Sequence, residues 1–277
     1  MPARRFRAAV FDIDGTLALM DKETGVYEAL PGAVAALAAC RARGQATIAY
    51  TNGTFFPPEH YYPRLAAAGL EFEQGRILTP AVVAAHELSK AGCKRVMLLG
   101  AEGTRTPIEA AGIEAFAPTE APGAVDAVML SWTKNFDARD LEAICKAVWA
   151  GTPVYAGSTA PFVAGATGKI LGISGAVSAM VEYATGVKPT VLGKPAVYGL
   201  DMIAALTGAS AREMIVVGDD PTLEIRMART AGALAVGVTT GLADDAAFRA
   251  EPPDTRAEIV LSTLEGFGEQ AWFVDGI

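Results

Sequence analysis

The sequence predicts an α/β protein in which a doubly wound parallel sheet is interrupted by a second, inserted α/β domain. Three observations carry this. Short apolar runs alternate with longer helical patterns at both ends of the chain, the β-α-β order of a parallel sheet. The middle of the chain has strands and helices of its own, enough for an independent domain of about a hundred residues. At 277 residues the chain exceeds one small core and fits one or two domains.

In order along the chain, Phe6 to Phe11 reads as the first strand. Pro31-Gly32 opens an alanine-rich helix to about Arg43, with Pro31 near its first turn. Gly44 stops that helix, and Ala46-Thr47-Ile48-Ala49-Tyr50 is the second strand. In the middle, Val96 to Leu99, Ala127 to Leu130 and Pro153 to Tyr155 read as strands. Ala81 to Lys90, Ala138 to Ala150 and Gly175 to Ala184 read as helices. The first rhythm then returns: strand Met214 to Val217, helix Pro221 to Ala231, strand Leu234 to Val238 and a short last strand, Ile259-Val260-Leu261. The expected division is a core of residues 1–79 and 187–277 around an insert of residues 80–186.

Composition narrows the partners. The chain is 51% hydrophobic and 19% charged, ordinary for a soluble globular protein. No run approaches the ~18 apolar residues of a membrane helix, so no membrane partner is expected. The basic start runs into apolar residues as a signal peptide does. That run soon breaks into aspartates, with no small-residue cleavage site, and a cytoplasmic location is expected. Cys40, Cys93 and Cys145 are far apart and form no C-x-x-C pair, so they read as reduced core thiols. A formal net charge of −8 argues against a nucleic-acid partner. It permits phosphate binding where a local cation or metal reverses the field.

In open parallel sheets ligands bind beyond the carboxyl ends of the strands, and four groups fall at such ends. Asp12 and Asp14 follow the first strand, in Phe11-Asp12-Ile13-Asp14-Gly15-Thr16. Thr51-Asn52-Gly53 follows the second strand, and Asp219-Asp220 follows Met214 to Gly218. Lys194, in Leu192-Gly193-Lys194-Pro195, precedes a helix starting near Pro195. Two carboxylates one residue apart suit phosphoryl transfer. One can attack phosphorus while the other protonates the leaving oxygen and then takes a proton from water. On an ideal strand both would face the same way, and the glycine turn can redirect the second.

Plainer readings were set beside this one. An Asx turn would use an aspartate merely to cap a strand. A calcium loop counted from Asp12 reaches Glu23 at its last position, but Leu17 stands where its sharp-turn glycine is required. Lys169, in Ala166-Thr167-Gly168-Lys169, lacks the rest of a phosphate loop. His60, His86, Trp132 and the Asp244-Asp245 pair read as packing or solvated residues.

With these residues in view, the chain resembles the haloacid dehalogenase superfamily. Asp12-Ile13-Asp14-Gly15-Thr16 matches its D-x-D-G-T first motif, and Thr51 its strand-end threonine. Lys194 in G-K-P matches its third motif, and Gly218 to Glu224 its acidic fourth. The placement of the insert, with Leu30-Pro31-Gly32-Ala33 and Ala184 to Pro189, resembles subfamily IIA, the NagD-like and p-nitrophenylphosphatase-like branch. The resemblance covers almost the whole chain. It implies a Rossmann-like core with a type C2 α/β cap, and a Mg²⁺-dependent phosphatase acting on a small phosphate monoester. It implies Asp12 as nucleophile and metal ligand, and Asp14 as general acid and base with a metal-binding carbonyl. Thr51 and Asn52, with Gly53, would hold phosphate, Lys194 would offset charge, and Asp219 would contact the metal. Dimerisation through the cap is common among such proteins, so a homodimer is expected.

The chain also departs from the pattern. Leu223-Glu224 stands where the subfamily commonly has Thr-Asp, leaving Glu224 and Asp220 as alternative supporting acids. The segments Gly157 to Pro161 and Ser131 to Phe136 differ from the usual cap loops, so substrate identity does not transfer. Among rivals, a dehalogenase needs neither Asp14 nor a metal. A phosphomutase more often carries a helical cap between the first two motifs, and Leu17 to Leu30 is too short for one. A non-catalytic phosphate- or metal-binding regulator that kept the fold stays as an alternative beside the phosphomutase, although no essential residue is missing.

Overall fold

The computed structural model describes residues 5–21, 24–121, 123–165 and 168–274. It divides into two compact units. The first comprises the chain up to Thr51, His60–Leu78, and the chain from Lys194 onward; the second comprises Asn52–Glu59 and Thr79–Gly193.

The first unit is built on a six-stranded sheet. Across it run Ile259–Leu261, Leu234–Val238, Met214–Gly218, Ala8–Phe11, Ala46–Tyr50 and Ile77–Leu78, every neighbouring pair parallel. Ala8 lies opposite Met214 on one side and Ala46 on the other. Every residue of Ala8–Phe11, Met214–Gly218 and Leu234–Val238 is buried. That is why these strands read as unbroken apolar runs: a parallel sheet is covered on both faces. Phe11, Leu37, Leu65, Val217, Val236 and Phe267 pack into one apolar cluster on this sheet. The second unit has a five-stranded sheet in the order Thr190–Val191, Val154–Ala156, Ala127–Leu130, Arg95–Leu99, Glu114–Phe116, also parallel throughout. It carries a separate core of Met97, Val128, Leu130, Ile144, Val177 and neighbours.

Local chemistry sets the helix starts. Thr79 caps Pro80–Lys90 by accepting from the Val82 N–H at 3.4 Å. Asp137 and Asp140 form a capping box at the head of Ala138–Trp149, satisfying amides that have no partner inside the helix. The helix expected from Pro31 starts later, at Ala33, because Gly32 takes a left-handed φ of 82° as its N-cap. The segment expected as one helix from Pro221 is a π-helical turn, Pro221–Ile225, followed by an α-helix, Arg226–Ala231. The helix expected near Pro195 runs Tyr198–Thr207.

Two hairpins were not anticipated: Ala18–Met20 with Tyr27–Ala29, and Phe162–Gly165 with Gly168–Leu171. Lys169 lies on the second of these, while Ala166, Thr167 and Glu23 fall outside the described residues. His60 and His86 lie on Pro58–Ala67 and Pro80–Lys90, both half-buried. The three cysteines are buried and unpaired. Among the described residues no helix is long and apolar enough to cross a membrane.

Gly32 and Gly44 separate two causes of glycine dependence. Both have positive φ, 82° and 68°. A Cβ on Gly32 would overlap the backbone of Leu264 and Glu265, whereas one on Gly44 would meet nothing within 4 Å. Gly44→Ala is expected to cost only the conformational strain, about 1 kcal/mol. Gly32→Ala is expected to cost about 3 kcal/mol, because displaced backbone adds to the same strain. Urea denaturation of the two variants checks this, and equal losses would refute the packing argument.

Candidate active site

The site grows from the end of the central strand. The Asp12 N–H donates to the Val217 carbonyl at 3.0 Å, the last ladder bond before the chain turns away. The Ile13 carbonyl then accepts from Thr16, Leu17 and Ala18 at 3.3, 3.0 and 2.9 Å, closing a tight turn around Gly15. Gly15 has φ 91°, a conformation that costs a residue with a Cβ. The turn separates the two carboxylates: Asp12 is buried and Asp14 exposed. The same-side arrangement of an ideal strand is therefore broken, as the glycine permits.

Lys194 is 2% exposed. Its Nζ donates to Asp12 Oδ1 at 2.5 Å and to the Tyr50 carbonyl at 2.8 Å, and it forms an ion pair with Glu224 Oε1. The Lys194–Pro195 peptide bond is cis. Asp219 is buried at the end of Met214–Gly218, with its Oδ2 accepting from the Leu242 N–H at 2.9 Å. A Cβ on Gly15 would lie 2.5 Å from that oxygen, and one on Gly241 would overlap it. Both glycines thus form a cradle fitted to a carboxylate. Thr51 is buried, its N–H donating to Leu78 O at 3.1 Å.

Asn52 and Gly53 belong to the second unit. There the Asn52 side-chain oxygen lies so close to Gly193 that a Cβ on the glycine would be 2.7 Å away.

The two supporting acids are used differently. Asp220 Oδ1 accepts from both the N–H and the hydroxyl of Thr222 at 2.7 Å, which spends it on a helix cap. Glu224 is buried against Lys194. The sequence had offered both for the metal and had not paired Glu224 with the lysine. Tyr27 and Tyr61 were also passed over. Their hydroxyls are buried, which raises them above the usual tyrosine range, and both feel the charge of Asp14. No spacing rule marks them. The Thr239-Thr240-Gly241-Leu242 loop was missed as well, although its place at the end of Leu234–Val238 on the same sheet edge is a signal for it.

Burial dominates the electrostatics. It pushes Asp12 up to about 7 against the pull of Lys194, with Asp219 and Asp14 adding to the rise. It pushes Glu224 up to about 7 and Asp219 up to about 6. Burial works against the Lys194 charge too, but Asp12 and Glu224 outweigh it and hold the ammonium above the ordinary lysine range. Among the described residues of the site the carboxylates outnumber the Lys194 ammonium, so a cation beside Asp12 and Asp219 is favoured. Among the described residues no three His, Cys, Asp or Glu side chains form a protein-only metal cage. Two carboxylates with a main-chain carbonyl and water remain, a sparse oxygen set that fits Mg²⁺.

Family comparison gives this geometry a context. Residues 9–114 match the haloacid dehalogenase-like hydrolase model, and residues 191–266 match the HAD-hydrolase-like model. The chain is 30% identical over 265 residues to the haloacid dehalogenase-like hydrolase domain-containing protein 2 of Bos taurus, covering 95% of this chain and 94% of that one. The chain belongs to the haloacid dehalogenase-like hydrolase family. It is 28% identical over 243 residues to a dihydroxyacetone phosphatase of Corynebacterium glutamicum, covering 87% and 84% of the two chains. Its fold matches that of a glycerol phosphate phosphatase of Mycobacterium tuberculosis solved with magnesium, with a TM-score of 0.81. That match has 24% identity and covers 96% of this chain and 78% of that one. Its structural neighbours are of the NagD-like and p-nitrophenylphosphatase type, consistent with subfamily IIA. As a member of this family the protein is a hydrolase, and several of its relatives are named as phosphatases.

The raised carboxyl groups give metal-free protein a distinctive pH response. Asp12, Glu224 and Asp219 release protons at about 7, 7 and 6 when folded, and near 4 when unfolded. Between these limits the folded state binds more protons, so stability falls as pH rises. Urea denaturation in EDTA is expected to show a loss of several kcal/mol from pH 5 to 7. Saturating Mg²⁺ is expected to flatten the slope, because a cation binds the ionised form. Stability that holds level or climbs with pH in EDTA would contradict the assigned burial of charge.

Proposed function

We propose that this hydrolase cleaves a small, soluble phosphate monoester with Mg²⁺, through an aspartyl-phosphate on Asp12. The observation that carries the reading is the buried Asp12–Lys194 pair at the end of the central strand, 2.5 Å apart, with Asp219 buried at the end of the strand paired beside it. A carboxylate pinned by a lysine and adjacent to a second acid is built to meet an anion.

An Asp12 oxygen attacks phosphorus as the P–O bond to the leaving group breaks, and Asp14 delivers a proton to the departing oxygen. Asp14 stands exposed on its turn. It then accepts a proton from water, whose oxygen attacks phosphorus, releasing phosphate and restoring Asp12. Lys194 lowers the charge between Asp12 and the incoming phosphate, with Thr51 and the Asn52-Gly53 backbone as phosphate donors. Asp12, the Asp14 carbonyl and Asp219 would hold Mg²⁺, which supplies charge neutralisation for the transferring group. The second unit serves as the cap. The names of the Corynebacterium and Mycobacterium relatives favour three-carbon phosphates as the first substrates to test.

With p-nitrophenyl phosphate and Mg²⁺, turnover is expected, and EDTA is expected to remove it. Asp12→Asn is expected to reduce kcat by on the order of 10⁴-fold or more, and Asp14→Asn by about 10²- to 10⁴-fold. Activity surviving in Asp12→Asn would overturn the nucleophile. A comparison of kcat/KM across dihydroxyacetone phosphate, glycerol phosphates, sugar phosphates and nucleoside monophosphates tests the substrate class.

A further inference from the structure

We infer that Glu224 is a positioning residue that aims Lys194 at Asp12, and that it does not support the metal; this rests on the phosphatase reading above. Four observations place it there. The turn that carries it, Pro221–Ile225, is π-helical and held at its start by the Asp220 cap. The Glu224 stem lies on Gly218, where an added Cβ would come 2.5 Å from Glu224 Cβ. Its Oε2 accepts from the Asp220 N–H at 3.3 Å, while its Oε1 pairs with Lys194 Nζ. Both carboxylate oxygens are thus engaged, and the residue is 3% exposed.

An ammonium has three donors. Among the described residues the acceptors of Lys194 include Glu224 Oε1, the Tyr50 carbonyl at 2.8 Å and Asp12 Oδ1 at 2.5 Å. Glu224 and the Tyr50 carbonyl fix two directions, and tetrahedral geometry sends the third to Asp12. The glutamate is one methylene longer than the aspartate common at this position. The π-helical turn and the bare Gly218 give that length a path to the lysine. Without the Glu224 contact the ammonium loses one of the acceptors that set its direction, and the Tyr50 carbonyl holds it less firmly toward Asp12.

The test compares wild type with Glu224→Gln, Lys194→Met and the double variant. Each is first checked for folding by circular dichroism. Glu224→Gln is expected to lower kcat on p-nitrophenyl phosphate at least ~10-fold, with KM within threefold. Mg²⁺ affinity of the metal-free protein, by calorimetry, is expected to stay within threefold. In the Lys194→Met background, losing Glu224 is expected to change kcat by less than twofold. The side-chain ¹H–¹⁵N signal that Lys194→Met abolishes is expected to shift or broaden in metal-free Glu224→Gln. This arm reads the lysine directly, so it decides even if wild type turns over no monoester, an outcome that strikes the phosphatase reading instead. Mg²⁺ binding weakened tenfold or more, kcat within twofold of wild type, or an unmoved lysine signal would each overturn the assignment.

Discussion

The Lys194 ammonium is the charge on which the carboxyl edge of the core sheet depends. It is shut away from water between Asp12 and Glu224, and Asp219 is buried nearby. Removing several charges from water costs more than one ion pair returns, unless the pairing is tight and further hydrogen bonds complete it. The Tyr50 carbonyl supplies one such bond to the lysine, and the Leu242 and Asp220 amides supply others to the acids. The balance is still negative, which is why burial leaves all three carboxyl groups reluctant to ionise. Such a site is poised for a cation and for an anion bridged by it. The stability it forgoes is carried by the fully buried strands beneath it.

Backbone without side chains makes the room. Gly15 and Gly241 flank the Asp219 carboxylate, and Gly218 underlies the Glu224 stem. A methyl group at any of the three would occupy space that a catalytic-edge acid now fills. These glycines are therefore a negative image of the carboxylates. The apolar strands could fold around many arrangements of acids, but these glycines admit few.

The core was legible because its signals are local. A strand buried on both faces is an apolar run, and Ala8–Phe11, Met214–Gly218 and Leu234–Val238 are such runs. The hairpin Ala18–Met20 with Tyr27–Ala29 was hidden because each strand has three residues and mixes Leu19, Glu28 and Met20 without alternation. The split at the second unit was hidden for a different reason. Residues 52–59 belong with that unit, where Phe55 packs on Trp132 with ring centroids 4.4 Å apart. There Gly103 lets the Thr54–Phe56 backbone come close. These partners are dozens of residues away, so no periodicity in the segment announces them. The pairing of Glu224 with Lys194 is long-range in the same sense: thirty positions of sequence carry no sign of it, whereas Asp220's cap is written two residues away in Thr222.

The same contrast explains why the residues point to a class of reaction and not to a substrate. Phosphoryl transfer imposes an electrostatic requirement that any chain must meet: a nucleophilic carboxylate, a cation to let it approach an anion, and a proton carrier. Those demands fix residue types at the ends of neighbouring strands, and strand ends are visible in sequence. Choosing a leaving group imposes no comparable charge pattern, because a polyol, a sugar and a nucleoside are each recognised by shape and a few neutral hydrogen bonds. At the corresponding edge of the second sheet stand Ser131, whose hydroxyl meets that of Thr104 at 2.6 Å, and the Phe55–Trp132 pair. Hydroxyls and aromatic rings serve packing as readily as recognition. Their identities constrain a ligand far less than two aspartates and a buried lysine constrain a reaction.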